Sequence, residues 1–233
     1  MATPETYLKI PTERVGALIG PEGRTKKTIE EKLGVNLEVE SQTGGVTIAL
    51  SDQCKDPSVL FKAKDVITAI GRGFSPERAF RLLLDEESML EIIDLQAVFG
   101  KSESDLKRVK GRIIGMNGKT RQILEELTEC DIAVYGRTVG IIGPFENLQV
   151  AREAVQMLIR GSMHNVVYRF LHRKRRELKK KKLELWEKPP EEKEKGSATG
   201  DSQARSKNEK SEDALRQIGY SAEPVSSRDF MTT

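Results

Sequence analysis

Gly115, Gly118, Lys119 and Thr120, within GRIIGMNGKTRQILEEL (Gly111–Leu127), are spaced like residues that hold phosphate. Two chemistries use such a segment. A nucleotide-binding P-loop needs G-x-x-x-x-G-K-[ST], because a long glycine loop must wrap its N–H groups around the phosphates before Lys and Ser/Thr follow. The glycine required five places before Gly118 falls at Ile113, and the preceding RVKGRII suits a helical turn better than a buried strand. The triphosphate-loop reading therefore fails. What remains is a short G-x-x-G turn between two helices, which aims unpaired backbone N–H groups and a helix dipole at an anion. Glycines there let a phosphate approach the backbone and supply positive φ.

The same pattern occurs earlier. GALIGPEGRTKKTIEEKLGVNLEVE (Gly16–Glu40) lies without a gap over GRIIGMNGKTRQILEELTECDIAVY (Gly111–Tyr135). GGVTIAL then parallels RTVGIIG, and AKDVITAIGRGF parallels AREAVQMLIRGS, so one supersecondary unit is used twice. One G-x-x-G is a weak signal; two in matching repeats are a strong one. The candidate strand-binding residues are Gly20, Pro21, Glu22, Gly23, Arg24, Lys26 and Lys27 in the first unit. In the second they are Arg112, Ile114, Gly115, Met116, Asn117, Gly118, Lys119 and Arg121. A basic run, RFLHRKRRELKKKK (Arg169–Lys182), adds Arg173, Arg175 and Arg176, since clustered cations attract phosphate by steering and counterion release.

Positioning these residues takes the order β-α-α-β-β-α. YLKIP alternates as a strand, TERVGALI is a short helix broken at Gly20, and RTKKTIEEKL is a second helix capped by Gly34. NLEVE and VTIAL pair across a Thr43-Gly44-Gly45 turn, and an amphipathic helix follows from Pro57. In the second unit LEIIDL is the first strand. AVFGKSESDLKR is a lengthened link, KTRQILEEL the second helix, DIAVY and TVGII a hairpin, and FENLQVAREAVQMLIRG the closing helix. Between the units SPERAFRLLLDEES reads as one connecting helix with Ser75 as N-cap, Pro76 at N1, and Ala79, Leu82 and Leu83 facing inward. The expected organisation is α+β: 5–74 and 89–162 as the two units, 75–88 connecting, 163–188 a basic helix, and 189–233 a tail too polar to fold.

VGALIGPEGRT and GRIIGMNGKT resemble the type I KH domain, whose G-x-x-G loop clamps the backbone of about four nucleotides. The resemblance spans about Tyr7–Arg160, and it implies an aliphatic groove for the bases. Transferred here, that groove nominates Ile19, Leu37 and Val39, then Ile114, Ile132 and Val134, each equally open to a core role. IGRGFSPERAF joining two such units, then IIDL and RGSMHNVVYRFL, is similar to the ribosome-assembly KH proteins of the Dim, Krr and Partner-of-Nob group in their archaeal form. That likeness implies single-stranded RNA near the 3′ end of 16S (small-subunit) ribosomal RNA as ligand. It implies the Nob endonuclease and the α subunit of initiation factor two as partners, and no cofactor. The spacing alone reaches only single-stranded RNA or DNA.

Glu22 sits where a phosphate is expected. A like charge 6 Å away costs about 2–3 kcal/mol at an effective dielectric near 20, less when exposed, so the second loop should be the stronger clamp. An adaptor reading, in which the KH folds grip a protein and RNA is secondary, remains open. An enzyme reading needs clustered carboxylates; Glu30-Glu31 and Glu125-Glu126 have surface spacing on helices. RGFSPERAF matches only the first three residues of an RRM signature, and 5% aromatic content argues against aromatic base platforms. Cys54 and Cys130 are isolated, His164 and His172 have no catalytic partner, and no metal site is expected. No apolar run approaches the roughly 20 residues that cross a bilayer, and no secretory pattern is present, so no membrane association and a cytoplasmic location are expected.

Overall fold

The computed structural model describes residues 5–51, 56–100 and 102–187 of the 233 in the chain. The tail from residue 189 and Cys54 lie outside the described residues. Up to Glu187 the chain forms one compact unit.

In the first repeat β1 (Glu5–Lys9) leads into α1 (Thr12–Ile19). A single turn at Pro21–Gly23 then joins α1 to α2 (Arg24–Leu33). β2 (Val35–Glu40), β3 (Gly45–Leu50) and α3 (Val59–Gly71) complete it. The three strands form an antiparallel sheet of order β1-β3-β2. Gly34 ends α2 in the left-handed region, as its position as a C-cap requires.

Between the repeats the expected single connecting helix is instead two short ones, α4 (Pro76–Ala79) and α5 (Arg81–Leu84). Ser75 has the extended backbone of an N-cap but makes no side-chain capping bond. Ala79 and Leu82 are buried as their spacing indicates, and Leu83 is half-buried.

The second repeat has β4 (Ser88–Asp94), α6 (Leu95–Phe99), α7 (Glu103–Ile114), a turn at Met116–Gly118 and α8 (Lys119–Thr128). It closes with β5 (Asp131–Tyr135), β6 (Thr138–Pro144) and α9 (Phe145–Ile159), in the same sheet order, β4-β6-β5. The stretch read as a link is largely helical. Asp94 caps α6 by accepting from the Gln96 amide at 2.8 Å, and α7 begins after Ser102 with Glu103 and Asp105 in its first turn, where the helix dipole favours acids.

The two sheets differ in what covers them. Every β6 residue from Thr138 to Gly143 is buried. Val139 and Ile141 face the core formed with α7, α8 and α9, while Ile142 and Ala133 join the core of the first repeat. A strand covered on both faces has no polar face to alternate, which explains the continuous apolar run TVGIIG. Phe74, 1% exposed, packs on Gly140 so closely that a Cβ there would lie 2.6 Å from its ring. Polar ties flank this seam. Arg78 meets Glu125 at 2.8 Å, Arg81 meets Asp131 at 3.1 Å, and the Tyr135 hydroxyl donates to Glu13 at 2.8 Å beneath the Arg14 guanidinium.

The basic run forms α10 (His164–Glu187), which carries nine Lys/Arg against three Glu. It is not a free solvated rod. Val167, Phe170 and Leu171 are buried against the second core, and Lys181 pairs with Glu146 at the start of α9, so α9 and α10 form an antiparallel hairpin.

Candidate nucleic-acid interface

Both G-x-x-G turns adopt the same backbone. The first glycine has φ of 72° at Gly20 and 73° at Gly115, the third residue 53° at both Glu22 and Asn117, and the last glycine 73° at Gly23 and 76° at Gly118. The two glycines of each turn have different duties. A Cβ on Gly20 or Gly115 would lie 2.2 Å from the hydroxyl of Thr25 or Thr120, which is buried beneath the turn. A Cβ on Gly23 or Gly118 would meet nothing within 4 Å. The first glycine is therefore fixed by packing within the protein, and only the second borders open space for a ligand. The threonine shared by the repeats gave the sequence signal for this packing, which the spacing of glycines alone did not reveal.

The two turns differ in what they offer an anion. Pro21 has no amide hydrogen, whereas Met116 has one. Glu22 holds a positive φ that Asn tolerates far better than Glu. Its carboxylate binds Arg24 at 2.8 Å, so the acid and a nominated cation neutralise each other. Lys26 is within 3.7 Å of Glu30, and Lys27 is exposed. In the second turn Met116 is 83% exposed and Lys119 has no ion-pair partner among the described residues.

Other nominated side chains are placed less simply. Arg112 donates to the carbonyls of Leu158 and Ser162, tying down the C-terminal end of α9. Arg14 does the same for Ile70 and Phe74 at the end of α3. Arg121 and Arg175 each bury an Nε that has no hydrogen-bond partner among the described residues. Arg173 is exposed beside Glu177 and above the Phe170 ring, and Arg176 is exposed.

Of the six aliphatic residues nominated for a groove, Leu37 and Ile132 are fully buried core. Ile19, Val39, Ile114 and Val134 are only partly covered. β2 and β5 are edge strands, and Glu30 and Glu125 each accept the amide of the facing strand, from Leu37 at 2.9 Å and Ile132 at 3.0 Å. These carboxylates are thus structural. Because backbone groups alternate sides along an antiparallel strand, the N–H and C=O of Val39 and Val134 share that same open edge. Among the described residues no cluster of His, Cys, Asp or Glu could hold a metal ion, and no helix is long and apolar enough to cross a membrane. Burial pushes the Cys130 thiol up to about 11.

A KH-domain profile matches residues 5–73, and a profile described as a eukaryotic type KH domain, type I, of the PNO1 second-domain kind matches residues 89–176. A KH domain-containing protein of Methanocaldococcus jannaschii is 49% identical over 181 residues, 78% of each chain. The chain belongs to the Dim2/PNO1 family of tandem KH-domain proteins. The RNA-binding protein PNO1 of Oryzias latipes is 34% identical over 140 residues, which span 60% of this chain and 58% of that one. Among solved structures, a complex of initiation factor a/eIF2α, aDim2p and rRNA from Pyrococcus horikoshii matches with a TM-score of 0.70 at 46% identity. That match covers 75% of this chain and 96% of the matched one. The family profile reaches residue 176, so it takes in the first half of α10.

Proposed function

We propose that this protein binds single-stranded RNA and acts as a non-catalytic assembly factor in small-subunit ribosomal RNA maturation, with the 3′ region of 16S rRNA as its target. The observation that carries the reading is the second turn. Its exposed Met116-Asn117 pair, open Gly118 and exposed Lys119 stand at the N-terminus of α8, beside the partly covered Ile114 and Val134. Phosphates rest on the turn amides, Lys119 neutralises them, and the open β5 edge meets the bases. The first turn, with Pro21 and the Glu22–Arg24 pair, is the weaker clamp. Support for the ribosomal target comes from relatives described as RNA-binding and pre-rRNA-processing proteins and from the rRNA complex of the Pyrococcus homologue. The same complex supports the α subunit of initiation factor two as a partner. The Nob endonuclease is carried only by the family resemblance, and action in the cytoplasm only by the sequence reading. Crosslinking the protein to RNA in cells and sequencing the bound fragments tests the target: enrichment at the 16S 3′ end is expected, and fragments without ribosomal enrichment would overturn it.

The exposed cations of α10 extend the electrostatic footprint. Deleting Arg173–Lys182 would also remove the Lys181–Glu146 tie, so neutralisation is the cleaner test. Changing Arg173, Arg176 and Lys179 to Gln should weaken binding to all sequences. For each phosphate that these changes leave without a cation, the slope of log K against log salt should flatten by about 0.7. Weakening confined to one sequence would contradict a purely electrostatic role.

A further inference from the structure

The second turn does not stand alone at its site. As Val167, Phe170 and Leu171 anchor α10 in the core, His164 and Tyr168, one helical turn apart, come to lie beside the turn. Their ring centroids are 6.2 Å apart, with planes at 51°. The Tyr168 hydroxyl donates to Thr120 Oγ1 at 3.2 Å, and His164 Nε2 donates to the Arg112 carbonyl at 3.0 Å. Both rings are thereby held in place by the elements that form the turn. Together with Gly115, Met116, Lys119 and Thr120 they border an open depression of about 420 Å³. Arg108 closes one side, paired with Asp105 at 3.0 Å but still exposed. One of the chain's two histidines and one of its four tyrosines thus meet beside the turn. The first turn has no counterpart, because the residues after α3 become α4 and α5, and α5 packs against β4 and β6 of the second repeat.

We propose that His164 and Tyr168 form a nucleotide subsite adjoining the second turn. The ring faces stack on a base next to the nucleotides that the turn holds, while Lys119 and Arg108 meet the connecting phosphate. α10 then belongs to the binding site and lengthens it beyond the usual four nucleotides of such a turn. This rests on the RNA reading above and names where that site continues.

The test uses the full chain and fluorescence anisotropy with labelled single-stranded RNA. One strand is just long enough to saturate the turn, and others carry one further nucleotide at the 5′ or the 3′ end. Wild type should gain roughly 5-fold or more from the extension at one end, within the roughly 5- to 150-fold that one stacked base contributes. Tyr168→Ala and His164→Ala should each lose most of that gain yet bind the short strand within about 2-fold of wild type. Tyr168→Phe, which keeps the ring and gives up only the bond to Thr120, should retain it. Equal weakening of short and long strands by both alanine variants would mean that α10 merely props the turn, and would overturn the subsite. So would a wild type that binds the short strand and gains nothing at either end. If wild type binds none of the strands, the RNA reading itself falls, and the subsite with it.

Discussion

Replacing Met116 and Asn117 together with aspartate is expected to abolish binding of single-stranded RNA, by roughly 100-fold or more, while the melting temperature stays near wild type. Each new carboxylate stands at the turn where phosphates approach. At about 6 Å and an effective dielectric near 20 each costs about 2–3 kcal/mol, reduced by exposure, so the pair together suffices for that effect. The fold should not notice. Met116 is 83% exposed, and position 117, with φ of 53°, accepts Asp nearly as readily as Asn. The matching change at Pro21 and Glu22 should do less, because that turn already carries an acid and lacks one amide hydrogen. Anisotropy titration at fixed salt decides the matter. Unchanged affinity in the Met116/Asn117 variant would move the RNA site elsewhere and favour the adaptor reading, in which the KH folds chiefly hold a protein.

The parts of this molecule that were legible from sequence are those governed by local rules. The repeated turn, the helices on either side of it and the two three-stranded sheets follow from glycine spacing and apolar periodicity, and Gly34 was readable as a cap for the same reason. What escaped was set by contacts distant in the chain. Arg112 reads as a cation beside a phosphate loop, yet its guanidinium ties the end of α9, because that helix terminus leaves carbonyls in need of donors. Leu37 and Ile132 read as groove floor or core with equal right, and only the packing of α2 and α8 over their strands decided for the core. One miss did have a local signal. Ser102 followed by Glu103 and Asp105 announces a helix start, and α7 begins there rather than after Arg108. The Ser102 hydroxyl spends itself on the Asp105 carboxylate at 2.8 Å instead of on a backbone amide.

Nothing local announces the seam between the repeats either, and it carries the second large effect. Phe74→Ala should destabilise the chain by about 3–5 kcal/mol, since it empties a fully buried aromatic site. For a unit of this size that lowers Tm by roughly 6–20 °C. Gly140→Val should also destabilise, by about 1–3 kcal/mol, because its Cβ would meet the Phe74 ring at 2.6 Å in the middle of a sheet covered on both faces. The decisive measurement is the double variant. With Phe74 shortened to Ala, the new valine enters the space that the ring leaves, so the combined destabilisation should fall short of the sum by about 1 kcal/mol or more. Additive effects would mean that the ring does not rest on β6, and that the second sheet is not seated on the first repeat at this point. The seat bears on function through β5, the neighbour of β6. Ala133 of β5 packs toward the first repeat while Val134, the next residue, offers its backbone at the open edge. Loosening the seam should therefore raise the amplitude of motion at the edge proposed to meet the bases. The loss of RNA affinity in the double variant should likewise fall short of the combined losses of the two single variants.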